Sequence, residues 1–228
     1  MQSILKSLLI VFSSLFLVAA AQPKPEPAPE KLTAEIGEPA PAFTLESQNG
    51  KTHTLSDYEG KIVILEWFND SCPYCMKAWG FGVIPKLLED LEDTKTEVVY
   101  IAINSTANRS EKDILKSGTK FLAEFDADIP MLMDYDGEVG HLYDAKTTPH
   151  LFVIDTEGVL VYQGALSDDK RFKKGKDAET HVLRAVNQII SGEKVVPSYV
   201  KPWGCAVKYS NGTKDNGINR GRNPGPLL

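Results

Sequence analysis

The chain has 228 residues, 42% of them hydrophobic and 25% charged, which suits one ordinary globular domain with additions at its ends. Its formal net charge is −6, whereas a nucleic-acid binder would carry a basic footprint, so that class is excluded. The basic cluster Lys170, Arg171, Lys173, Lys174 and Lys176 is interrupted by Asp168, Asp169 and Asp177, and reads as a solvated loop.

In chain order, Lys6 supplies a short positive region and "LLIVFSSLFLV" an apolar one, followed by the small residues "AAA" at 19–21. The uncharged stretch 7–21 is shorter than the roughly 20 residues a membrane span needs. We read residues 1–21 as a cleaved signal peptide, with an uncleaved N-terminal membrane anchor as the alternative. Either way the body is expected in the periplasm or secreted, where disulfides persist. Residues 22–35 open with "QPKPEPAPEK", an extended Pro-rich linker. The domain is expected over 36–195, followed by a C-terminal extension and mobile tail over 196–228 that ends in "SNGTKDNGINRGRNPGPLL".

Within the domain, "FTLES" and "KTHTLSDY" flank Asn49-Gly50 as a hairpin. "KIVILEWF" (61–68) is a β-branched and aromatic run with little alternation, a strand buried on both faces. Met76, Trp79, Val83, Leu87, Leu88 and Leu91 then recur at helical spacing, with Pro85 expected to kink that helix. "EVVYIAIN" is a second buried strand and "SEKDILKSGTKFLAEF" an amphipathic helix. "IPMLMD" is a short strand, "EVGHLYDA" a short helix, and "HLFVIDTEGVLVYQGA" a hairpin turning at Glu157-Gly158. Val182, Leu183, Val186, Ile189 and Ile190 mark a last helix that stops at Gly192. Alternating strands and helices followed by a hairpin predict an α/β domain. Its central sheet is mixed, with antiparallel edge strands and helices on both faces.

Between the first buried strand and its helix stands "SCPYC", residues 71–75. A Cys at a helix N-terminus meets unpaired N–H groups and the positive end of the helix dipole, which favour its thiolate. Cys72 is therefore the candidate nucleophile, and Cys75, one turn further in, is placed to resolve a mixed disulfide formed on Cys72. Pro73 suits the first helical position. A zinc site needs four ligands, whereas the chain offers one further Cys, Cys205, and four unpaired-in-sequence His at 53, 141, 150 and 181. A copper-binding module using the two cysteines and one His is the binding-protein alternative. No cofactor and no resident metal is expected.

"EWFNDSCPYC" resembles the active-site segment of the thioredoxin superfamily, and Glu66 stands six positions before Cys72, where that family carries a buried acid. "KTTPHLFVID" resembles the family's cis-proline loop at Thr148-Pro149. The likeness runs from about Ile36 to Gly192, and its closest flavour is the exported redoxin proteins related to cytochrome-maturation thiol-disulfide oxidoreductases. It implies a thioredoxin-like fold with an N-terminal hairpin. It also implies a thiol-disulfide oxidoreductase acting on protein dithiols or disulfides with an upstream thiol-disulfide donor or acceptor. Glu66 would relay protons, and Thr148, Pro149, Pro73 and Tyr74 would contact substrate. The bland readings are a strand-end Glu paired with a Lys and a strand-initiating Pro.

A peroxide reductase of the peroxiredoxin type is a further alternative. That pattern places Pro and Thr or Ser before a single reactive Cys. Here the positions ahead of Cys72 hold Leu65 and Asn69, and those ahead of Cys75 hold Phe68 and Cys72. The Pro-Tyr dipeptide departs from the Gly-Pro usual in thioredoxins and leaves the redox poise open. Cys205 reads first as a buried apolar residue, then as an intermolecular partner or a third thiol reaching the site. "PWGCAVKY" around it resembles a closing segment of some exported members. His150 is either a rim residue or a hydrogen-bond partner near the thiolate.

Overall fold

The computed structural model describes residues 33–210. Residues 1–32, which hold the expected signal peptide and most of the expected linker, and residues 211–228 of the expected tail lie outside the described residues. In chain order the elements are β1 (Thr44–Ser47), β2 (Thr52–Thr54), β3 (Ile62–Trp67), α1 (Pro73–Gly80), α2 (Val83–Glu92) and β4 (Val98–Asn104). They continue with α3 (Glu111–Glu124), β5 (Met131–Met133), α4 (Glu138–Leu142), β6 (Thr147–Thr148), β7 (His150–Ile154) and β8 (Leu160–Gly164). The last are α5 (His181–Ile190), β9 (Tyr199–Val200) and β10 (Cys205–Ala206).

Eight strands form one sheet in the order β2-β1-β5-β4-β3-β7-β8-β9, and β6 pairs separately with β10. The centre β5-β4-β3 is parallel, β7 runs antiparallel to β3, and β8 antiparallel to β7. This is the expected thioredoxin-like mixed sheet, with the N-terminal hairpin added along β5. Gly50 and Gly158 supply the positive φ that the two hairpin turns require, at 78° and 80°.

All six residues of β3 are buried, as a strand covered on both faces must be. Alternation sends Ile62 and Ile64 into the core under α1, α2, α3 and α5, and Val63, Leu65 and Trp67 into the core shared with α4. Glu66 falls on the first of these faces, where every neighbour in register is apolar. On that face Trp79 packs edge-on against Phe68 and Phe121, and on the other Trp67 meets Tyr143 and Phe152. Full burial of aromatic side chains of this size contributes roughly 1.5–3 kcal/mol each.

The long helix expected after the cysteines is two helices, and the break falls at Gly82 rather than at Pro85. Gly82 caps α2 with φ 75°, a left-handed conformation that glycine adopts without steric penalty. Pro85 sits in the first turn of α2, where its missing N–H would have had no helical partner, so it bends nothing.

The C-terminal extension folds back on the body as far as Ser210. β9 joins β8 in parallel, and β10 pairs antiparallel with β6. The Val207 N–H donates to the Lys146 carbonyl, and the Ala107 N–H to the Lys208 carbonyl. Strands of two residues leave no periodicity to read, so this course was invisible to hydrophobic patterning. The basic loop 170–176 is exposed as expected, apart from Phe172, which is buried against Phe81.

Candidate functional site

Cys72 is the N-cap of α1 with extended φ/ψ, and Pro73 begins the helix. Its N–H donates to the Asn69 carbonyl at 2.9 Å, and its thiol donates to the Thr148 carbonyl at 3.0 Å. The Thr148 hydroxyl is buried without a hydrogen-bond partner among the described residues, so it is available to donate when Cys72 ionises. The Cys72 pKa is lowered to about 4, chiefly by the Cys75 thiol and further by hydrogen bonds from Cys205, Thr148 and the Cys75 backbone, against the opposing effect of burial.

Cys75 is completely buried one turn into α1, and its pKa is pushed well above that of a free thiol. Burial is the main cause, followed by the thiol–thiol hydrogen bond to Cys72 and the charge of Glu66. The two sulfurs thus differ sharply in acidity: one is a ready thiolate and the other holds its proton.

Glu66 lies fully buried beneath the pair. Burial raises its pKa to about 8, although the Tyr100 hydroxyl donates to its Oε2 at 3.0 Å. The Trp79 indole N–H approaches the same carboxyl without closing a well-formed hydrogen bond, and Oε1 has no protein partner among the described residues. The strand-end Glu paired with a Lys is therefore not what the fold builds. A carboxyl poised to hold or release a proton near neutrality is.

The Thr148-Pro149 peptide bond is cis and abuts the dithiol through the Cys72–Thr148 contact. Tyr74 is 38% exposed, and its ring centroid lies 5.9 Å from that of Trp203. The structure thus gathers Glu66, Cys72, Pro73, Tyr74, Cys75, Thr148 and Pro149 into one locus. His150 does not join it. The His150 ring is buried, accepts from the Lys146 N–H through Nδ1 and lies 4.4 Å from Phe152; burial lowers its pKa to about 3. Neither a rim residue nor a thiolate partner, it is a neutral core histidine.

One feature escaped sequence reasoning. Arg109 clamps the loop before Cys72, donating to both carboxylate oxygens of Asp70 at 2.8 and 3.2 Å and to the Ser71 hydroxyl at 2.8 Å. Nothing in the sequence pairs residues 39 apart, although an Asn-Asp-Ser run before a helix marks an ordered turn. Cys205 is half-buried beside Cys72, not in the core, so the first expectation for it is corrected and the alternative of a third thiol at the site is the one its position fits. Among the described residues no group of three or more His, Cys, Asp or Glu is arranged to hold a metal, and no helix is long and apolar enough to cross a membrane.

A thioredoxin-like sheet with Cys-x-x-Cys at a helix start, an acid beneath it and a cis-proline loop beside it defines a dithiol protein of the thioredoxin class. The chain belongs to the AhpC/TSA family, which it matches over residues 36–163. Among curated relatives it is 31% identical over 125 residues to the thiol-disulfide oxidoreductase ResA of Bacillus subtilis, covering 55% of this chain and 64% of that one. It is also 28% identical over 125 residues to the thioredoxin-like protein YneN of the same organism, over 54% of this chain and 68% of the other. A relative in Coxiella burnetii whose name assigns it to the peroxiredoxins is 29% identical over 143 residues, 57% of this chain and 87% of the other. Among solved structures, a hypothetical protein of Sinorhizobium meliloti superposes with a TM-score of 0.66 at 23% identity, over 79% of this chain and 97% of that one. An uncharacterized conserved protein of Geobacillus kaustophilus gives 0.67 at 22%, over 78% and 93%. These two share the fold.

Proposed function

We propose that this protein is a thiol-disulfide oxidoreductase acting on protein dithiols and disulfides outside the cytoplasm. The observation that carries the reading is the opposed acidity of the two sulfurs at the start of α1. In the reducing direction the Cys72 thiolate attacks a substrate disulfide, forming a mixed disulfide and releasing one substrate thiolate. Cys75 then attacks Cys72, its proton passing to the Glu66 carboxylate. The second substrate thiolate leaves, and Cys72–Cys75 is oxidised. An upstream thiol-disulfide partner returns the electrons. The backbone of Thr148, with Pro149, Pro73 and Tyr74, forms the surface against which a substrate strand lies.

The similarity to proteins named thiol-disulfide oxidoreductases supports this reading, as does the apolar N-terminal segment for an exported site of action. Dithiothreitol-dependent reduction of insulin tests it. Wild type should catalyse the reaction and Cys72→Ser should not. Hydrogen peroxide consumption exceeding insulin reduction would select the peroxidase alternative, and equilibration against glutathione buffers would fix the direction of flow.

A further inference from the structure

The surface that would receive a substrate strand is already covered by the chain itself. β10 lies antiparallel on β6 with Cys205 directly opposite Thr148, the residue whose carbonyl accepts from the Cys72 thiol. Gly204 allows this approach: a Cβ there would come within 2.3 Å of the Thr148 carbonyl oxygen, and its φ is 153°. Trp203 holds the segment from the other side, donating from its indole N–H to the Ser167 carbonyl at 2.8 Å and packing on Tyr74 and Phe172. Downstream, the Tyr209 hydroxyl donates to the Ala145 carbonyl at 2.9 Å, and its ring stacks 4.1 Å from His141. Beneath this strap Cys72 is only 2% exposed. A nucleophile that must meet protein disulfides is thus shielded by a strand of its own chain that carries a cysteine at the register of the attacked bond.

We propose that residues 203–209 form a built-in pseudo-substrate and that Cys205 is a third redox thiol, exchanging with the dithiol through a Cys72–Cys205 disulfide. The proposal rests on the dithiol-exchange reading above. In the oxidised chain, the Cys205 thiolate attacks the Cys72 sulfur. The Cys72–Cys205 bond forms, the Cys72–Cys75 bond breaks, and Cys75 leaves as a thiolate that takes up the proton lost by Cys205. One thiol hydrogen and one disulfide stand on each side, so no external oxidant enters. The intramolecular disulfide parks the oxidised enzyme with its groove occupied. A substrate strand must displace β10 from β6 to reach Cys72, so partners that can pair along β6 are favoured over small thiols.

The test uses the full chain as wild type and as Cys75→Ser, each oxidised with limiting oxidised glutathione, alkylated and mapped by peptide mass. Cys75→Ser should give an intramolecular Cys72–Cys205 link as the main product. A glutathione adduct on Cys72 with Cys205 fully alkylated overturns the pseudo-substrate. If wild type forms Cys72–Cys75 in that case, the dithiol reading stands without the strap; if wild type forms no Cys72–Cys75 bond, the dithiol reading falls as well. A second measurement avoids the buried substitution. Gly204→Val cannot keep β10 seated, so iodoacetamide should label Cys72 roughly tenfold faster than in reduced wild type, as expected when a local opening step is removed. Equal labelling rates overturn the shielding.

Discussion

At the scale of single residues, the site sets three ionisable groups in three environments. Cys72 sits at a helix start among donors, Cys75 in the dry core, and Glu66 beneath with one hydroxyl for company. An ultraviolet thiolate titration should therefore find one thiol ionising near pH 4, the value to which Cys72 is lowered, and that signal should vanish in Cys72→Ser. A first transition near pH 9 would refute the assignment. Glu66→Gln keeps the volume and the Tyr100 contact but cannot accept the proton of Cys75. Insulin reduction should slow by roughly 100-fold, at the low end of general-base effects, with an unchanged circular dichroism spectrum. Glu66, the cysteines and Thr148-Pro149 were legible because each occupies a fixed offset within a short segment. Cys205 was legible only as one of three alternatives: its place opposite Thr148 depends on a strand register joining residues 57 positions apart, which no local pattern encodes. His150 was misread for the same reason, since its neighbour Pro149 says nothing about the face on which the ring lands.

At the scale of elements, the helices packed around the site are held by caps and clamps as much as by apolar faces. Thr180 caps α5 by accepting from the Leu183 N–H, and Ser110 caps α3 by accepting from the Asp113 N–H. Thr180→Ala should lower unfolding free energy by about 1 kcal/mol in urea titration. The Asp70–Arg109 pair orients the turn that presents Cys72, and the Asp70 side chain is almost wholly buried. Arg109→Ala strands that carboxylate and should destabilise by about 3 kcal/mol, more than any exposed ion pair of α2 could account for. The longer strands and the helices of the body were readable from apolar runs and spacing, but the two-residue β9 and β10 were not. The division of α1 from α2 was not, because a proline in a first helical turn and one in mid-helix look identical in sequence.

For the whole molecule, the acid and the thiolate pull global stability in opposite directions with pH. Cys72 has its pKa lowered from 9.0 to about 4, so the unfolded chain holds more protons between those values. Its stabilising contribution is complete above about pH 9 and is lost as pH falls through about 4. Glu66 has its pKa raised from 4.5 to about 8, so its contribution is complete below about pH 4.5 and is lost as pH rises through about 8. Denaturant midpoints should show Glu66→Gln gaining on reduced wild type from pH 5 to pH 8 and Cys72→Ser falling behind it over the same range; parallel curves would remove both assignments. The sheet that carries these groups ends in β2, three residues long, and β9, two residues long. Margins so short offer a neighbouring molecule almost no row of open amides and carbonyls on which to build. The strand-receiving seam at the chemistry is thereby set apart from outer edges that give poor footing for aggregation.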